Sequence, residues 1–387
     1  MKHAGKFARR AQTLGLKGTL LAGLLCAAGL VHAESSVTLY GLIDTGIDYV
    51  NNVTTPGIKG GHSMVQMASG IPIGSNWGLR GSESLGNGLS AIFNLQSGFN
   101  VDNGAFSNPK SMFSRNAYVG LSSDQYGTLT FGRQWDPIVD VVEGFSLNGN
   151  YGGWYFSHPN DMDNTDNGFS VPNDVKYVSP SIHGLKFEAH YSFGGQAGQF
   201  SNDSAYGGSI AYENGPFKAG VAYLRVNNPQ TAVVGYQSGG GYVNSVYGNA
   251  LAQARSQQII AGGASYQFGP FRLLGDASSV KFQRGSNGQN LNFQNYELSG
   301  IYSLTPTLNF GAGYTYTAGQ DHGTGEHPDY QQFNLIVHYD LSKRTGVYLM
   351  SAFQRALGSA QYAQLAGFNP SSTNKQVVVR MGLTHTF

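Results

Sequence analysis

The sequence predicts an all-β fold: a closed transmembrane antiparallel β-barrel of 16 strands. Three observations predict it. Side chains alternate with a period of two up to the last residue, tight turns alternate with long polar loops, and only 12% of the 387 residues are charged, where a soluble domain carries about 25%. In such a barrel one face of each strand meets lipid and must be apolar, so charge is confined to lumen and loops. Backbone groups in hydrocarbon find no water, and strands can cross it only when every edge is paired. Sixteen strands enclose more space than their side chains fill, which predicts an aqueous channel. A net charge of +1 gives no footprint for nucleic acid, and 40% hydrophobic residues argue against disorder.

Residues 1–33 are expected to be a cleaved signal peptide. Lys2, Lys6, Arg9, Arg10 and Lys17 form a basic head, Thr19 to Leu30 an apolar centre too short to span a bilayer, and Val31-His32-Ala33 a small-residue end. Five of the 23 basic residues and none of the 22 acidic ones lie there, so the mature chain, 34–387, carries 18 minus 22, or −4. It also loses Cys26, the single cysteine, and with it any disulfide or thiol chemistry.

The strands are expected near 36–50, 75–84, 89–101, 115–122, 127–134, 172–180, 185–193, 206–212, 217–226, 256–267, 271–283, 291–304, 308–317, 329–341, 346–355 and 374–387. Alternation is clearest where Leu185, Phe187, Ala189, Tyr191 and Phe193 interleave with Lys186, Glu188, His190 and Ser192. It returns in Leu308 to Thr317, in Phe333 to Leu341 and in Gln376 to Phe387. Tight turns are expected at Leu85 to Gly88, Glu213 to Pro216, Phe268 to Pro270 and Thr305 to Thr307, and long loops elsewhere, as at Asn227 to Arg255. This asymmetry suits a barrel with short periplasmic turns and long outer loops, and an even strand count leaves both termini in the periplasm.

The loop of about 135–171 stands apart: it is long, acidic and aromatic, and loops of that length are usually functional. At this point the chain resembles the general trimeric porins, in particular the β-proteobacterial type. The stretches that carry the resemblance run through the mature chain: Val37-Thr38-Leu39-Tyr40-Gly41, Trp77-Gly78-Leu79-Arg80-Gly81, Arg115 to Leu121, Phe131-Gly132-Arg133-Gln134, His158 to Asn167, Val175 to Pro180 and the terminal Phe387. The resemblance implies a homotrimer in outer-membrane lipid and lipopolysaccharide, a third loop folded into the lumen as a constriction, and recognition of Phe387 by the outer-membrane assembly machinery. Passive diffusion of small hydrophilic solutes and ions is the implied function, without cofactor.

Alternation assigns the pore charges. Trp77 and Leu79 facing lipid put Arg80 and Asn76 inside; Tyr118 and Gly120 read as outward put Arg115 inside, where it matches a pore arginine of the family. Asp136, Asp140, Glu143, Asp163 and Asp166 on the loop, with Asp174 and Lys176 on the strand that follows, complete the expected constriction. Arg133 shares the phase of Leu129 and Phe131 and is expected to anchor a loop or face another subunit. Related sequences often have arginine at positions 76 and 170 and a small polar residue at 174; Asn76, Ser170 and Asp174 make this wall less basic, which predicts weak selectivity tilted towards cations. Catalysis is not expected, since no serine elbow occurs. Asp321-His322 and Glu326 to Asp329 lack metal-ligand spacing, so no metal is expected there. Two alternatives stay open: a substrate-specific solute channel, hinted at by Tyr151, Trp154 and Tyr155, and a barrel acting mainly as adhesin or receptor.

Overall fold

The computed structural model describes residues 35–232, 244–248, 250, 254–284 and 289–387. The signal segment 1–33 and much of the loop expected at 227–255 lie outside them. In chain order the strands are β1 (Ser35–Thr55), β2 (Ile58–Ser69), β3 (Asn76–Gly86), β4 (Leu89–Gly98), β5 (Asn116–Ser123), β6 (Gly127–Gln134), β7 (Val171–Val178), β8 (Leu185–Ser192) and β9 (Ala205–Asn214). They continue with β10 (Phe217–Asn227), β11 (Ala254–Phe268), β12 (Phe271–Arg284), β13 (Gln289–Ser303), β14 (Leu308–Asp321), β15 (Pro328–Asp340), β16 (Thr345–Gly358) and β17 (Lys375–Thr386).

From β3 to β17 each strand pairs antiparallel with the next, and β17 closes on β1 with Leu42 opposite Thr386 and Val50 opposite Val378. The other edge of β1 is shared: its first half pairs with β3 and its second half with β2. The 17 segments therefore fill 16 positions, since 17 minus 1 shared position leaves 16. β2 extends the second expected strand, which breaks at Gly70-Ile71-Pro72-Ile73-Gly74. Pro72 has no N–H to give a ladder, and Gly70 turns the chain at φ +69°. Asp44 holds the break open by accepting from the Ile71 N–H at 2.9 Å.

Outward positions are apolar and uncovered: Leu298 is 63% exposed, Leu335 60% and Met381 64%. In water such a continuous belt would drive aggregation; in lipid it is solvated. Inward positions of the same strands are polar and buried, among them Asn295, Glu297, Gln332, Asn334 and Arg380. The expected phases of β3, β8, β15 and β17 agree with this pattern. That of β5 does not, because Val119 and Leu121 face outward while Tyr118 lines the interior. The stretch Ala117-Tyr118-Val119-Gly120-Leu121 has apolar residues on both parities, and the two aliphatic side chains take the lipid.

Candidate pore site

The segment between β6 and β7 is a chain of short 3-10 and π turns whose polar side chains cap its own backbone. Asp136 accepts from the Ile138 N–H at 2.8 Å and from the Asn164 amide. Asp161 accepts from the N–H groups of Asp166 and Gly168, each at 2.9 Å. Asn160, Asp161, Asn164 and Asn167 all have φ between +49° and +58°, a conformation that Asn and Asp tolerate better than other side chains. The run His158 to Asn167 thus folds on itself.

Around this knot the segment lies against inward faces of the wall. The Leu147 N–H donates to Glu297 of β13 at 2.6 Å, and the Tyr155 hydroxyl to Asp48 of β1 at 2.7 Å. Gln332 of β15 donates to the Tyr155 carbonyl at 3.1 Å and Gln257 of β11 to that of Met162 at 2.8 Å. The Trp154 N–H donates to the Ile71 carbonyl in the strand break at 2.9 Å. Ile138, Val142, Leu147, Phe156 and Met162 are buried beneath these contacts.

An internal cavity of about 820 Å³ remains on the other side, between Trp135, Asp140, Val141 and Phe145 of the segment and wall residues from β1 to β10. Its charged lining among the described residues is Arg80, Lys176, Lys186 and Lys218 against Asp140, Glu188 and Glu213, four cations to three carboxylates. Lys176 pairs with Asp140, lies 3.7 Å from Glu188 and donates to the Trp135 carbonyl at 2.8 Å. Lys218 pairs with Glu213 at 2.8 Å. The Arg80 guanidinium lies over the Tyr40 ring, 5.0 Å from its centroid.

The expected site residues divide accordingly. Arg80, Asp140 and Lys176 line the cavity. Arg115 precedes β5 and escapes its phase: the guanidinium lies 5.8 Å from the Trp135 ring centroid at the root of the segment. Asp136, Asp163 and Asp174 are fully buried in local hydrogen bonds, Asp163 with His158 at 2.6 Å and Asp174 with His190 at 2.9 Å, and do not line it. Arg133 donates to the Ser114 carbonyl at 2.7 Å, which ties β6 to the loop before β5. Phe387 exchanges backbone hydrogen bonds with Gly41 at 3.0 and 3.1 Å, at the seam where the barrel closes. A side chain at Gly41 would meet the Phe387 ring at 2.4 Å, so only glycine fits beside it.

Lys186 and Glu188, absent from the expected site, lie on the polar parity of a strand whose alternation was already plain; the same argument applied there would have found them. Burial raises the Glu143 carboxyl to about 8 despite the opposing Arg115, and Asp136 to about 6. Burial, then repulsion from Asp161 and Glu143, holds Asp166 well above the usual carboxylate range. The segment is therefore less negative at neutral pH than its composition suggests.

A family model described as Gram-negative porin matches residues 19–359. The chain is 33% identical to an outer membrane porin protein of Bordetella pertussis, over 96% of this chain and 100% of that one. It is 30% identical to outer membrane porin protein 32 of Delftia acidovorans, again over 96% and 100%. An anion-selective porin from Comamonas acidovorans superposes with a TM-score of 0.73 at 25% identity, over 92% of this chain and 100% of that one. OmpT of Vibrio cholerae in its trimer form, 14% identical, shares the fold with a TM-score of 0.65 over 91% and 99%. A closed barrel with an apolar belt and a charged interior, matched over nearly its whole length, belongs to the Gram-negative porins, and the protein is an outer-membrane diffusion channel.

Proposed function

We propose that small hydrophilic solutes and ions pass through the space between the 135–170 segment and the wall from β3 to β10, with the segment as the constriction and a weak preference for anions. The observation that carries this is the charge count: Lys218 cancels Glu213, Lys176 faces both Asp140 and Glu188, and Arg80 with Lys186 then tips the lining to four cations minus three carboxylates, a surplus of +1. Of the acidic residues that favoured cations on paper, Asp140 is paired with Lys176, Asp136, Asp163 and Asp174 are held in local hydrogen bonds away from the cavity, and burial holds Glu143 and Asp166 above the usual carboxylate range. The similarity to an anion-selective porin points the same way. Uncompensated charges at a narrow point bias permeation through the local field.

Tyr151, Trp154 and Tyr155 pack against His338, Gly367 and Phe368 and do not line this space, which removes the aromatic hint of a specific channel. Reversal potentials of the purified protein in planar bilayers under a KCl gradient test the reading. A chloride-to-potassium permeability ratio above unity is expected, and a ratio at or below unity overturns the preference. Sugar-dependent block of the current would instead support a specific channel, and absence of any current an adhesin. Assembly as a homotrimer and recognition of Phe387 by the assembly machinery belong to the same proposal; lower outer-membrane yield of Phe387→Ala is the expected sign.

A further inference from the structure

Away from the cavity, the turn that begins at His158 meets the facing strands β12 and β13. Asp276 and Glu297 are direct partners across that pair, on the inward face. Two carboxylates directly opposite each other on neighbouring strands repel, and neither forms a salt bridge with a lysine or arginine among the described residues. Between them stands the His158 imidazole, its Nε2 3.6 Å from Asp276 Oδ1 and 3.6 Å from Glu297 Oε2. His158 is 1%, Asp276 7% and Glu297 5% exposed. His158 Nε2 and both Asp276 oxygens lack hydrogen-bond partners, an expensive state for buried polar atoms unless something binds them.

We propose that His158, Asp276 and Glu297 hold a divalent transition-metal ion of the zinc class, pinning the 135–170 segment to the wall. The spacing favours an ion over a proton on Nε2. A charge-assisted N–H to carboxylate bond spans about 2.7–2.9 Å, whereas ligand atoms around a tetrahedral ion with bonds of about 2.0–2.1 Å stand about 3.4 Å apart. The three candidate ligand atoms all lie within 4.8 Å of one another. The outer contacts are those of a metal site. His158 Nδ1 is 2.6 Å from Asp163, which orients the ring, as a carboxylate behind a ligating histidine does. Ser278 and Asn295 hold that Asp163 carboxylate in turn. Glu297 Oε1 is occupied by the Leu147 N–H and the Ser299 hydroxyl, both at 2.6 Å, which aims Oε2 at the site. One imidazole with two carboxylates suits zinc and its first-row neighbours better than calcium or magnesium, which favour all-oxygen shells.

The test uses the folded full-length protein, stripped with chelator, dialysed against zinc chloride and then against metal-free buffer. About one zinc per chain is expected to remain by elemental analysis, with a raised unfolding temperature on zinc addition, and Asp276→Asn is expected to lose that zinc. No retained zinc, or equal retention by Asp276→Asn, overturns the proposal. Should that variant fail to fold, X-ray absorption of the zinc-loaded wild type decides: one imidazole with oxygen ligands supports the site, and two or more imidazoles overturn it.

Discussion

Nη1 of Arg380 lies 2.7 Å from Oδ1 of Asp48, with both side chains wholly shielded inside the barrel seam. The same guanidinium reaches Asp44 at 3.0 Å and the Tyr348 hydroxyl at 2.7 Å, and Tyr348 donates to Asp44 at 2.6 Å. One guanidinium serves both carboxylates, and the Tyr155 hydroxyl of the 135–170 segment donates to Asp48.

Removing one partner of such a group leaves buried charge uncompensated, at a cost of about 3–5 kcal/mol. Arg380→Met, which preserves much of the volume, is expected to lower stability by roughly that amount, read from the urea midpoint of the detergent-folded barrel. A midpoint equal to wild type would mean that the carboxylates are not both charged.

Gly153 has φ +51°, and a Cβ there would stand 1.9 Å from the Ile71 carbonyl and 2.5 Å from that of Pro72. Backbone cannot yield as a flexible side chain can. Gly153→Ala should therefore lift the segment from the strand break, destabilise the protein by roughly 1–3 kcal/mol and change single-channel conductance; unaltered conductance and melting would show that the contact is unimportant.

The Glu143 carboxyl titrates near 8, so it is mostly neutral at pH 7 and gains a negative charge by pH 9, beside Arg115, Asp140 and Asp136. Anion preference is expected to decline over that interval in wild type and to stay flat in Glu143→Gln, as read by reversal potentials. The linkage has a definite sign. Because the folded carboxyl holds its proton more tightly than the free one, with an ordinary value of 4.5, stability from this group declines as pH rises from about 4.5 through about 8 and is level above.

Arg115→Ala and Lys186→Ala each remove a cation beside the passage, and each should move the reversal potential towards potassium. The shift should shrink at high salt, where screening shortens the field. An unchanged potential in Arg115→Ala would place that residue outside the permeation path.

The strands most legible in the sequence were those whose two faces differ without exception, such as Leu185 to Phe193, because lipid on one side and water on the other leave no freedom at any position. Legibility failed where chemistry was ambiguous. Tyr118 suits either face, and the phase of β5 was inverted in consequence. The segment from Ile58 to Ser69 alternates only in part, with Val65 and Met67 outward, and its glycines disguise it as loop. The loop acids were visible as charges but not as caps: whether Asp136 faces solvent or its own Ile138 N–H depends on a turn that no periodicity encodes. His158 and Asp276 are 118 residues apart (276 minus 158), and only barrel closure brings them together.

The break at residues 70–75 also sets an order of yielding. Among the described residues β2 is bonded along one edge only, to β1, while β3 below the break is bonded along both. Along β2 only those N–H groups that face β1 are held in a ladder, whereas along β3 the N–H groups of both edges are held, by β1 and by β4, so amide hydrogens of β2 are expected to exchange with solvent sooner. At β2 the wall is thus held from one side only, and the proline-bearing stretch that joins it to β3 is the one on which the Trp154 backbone rests.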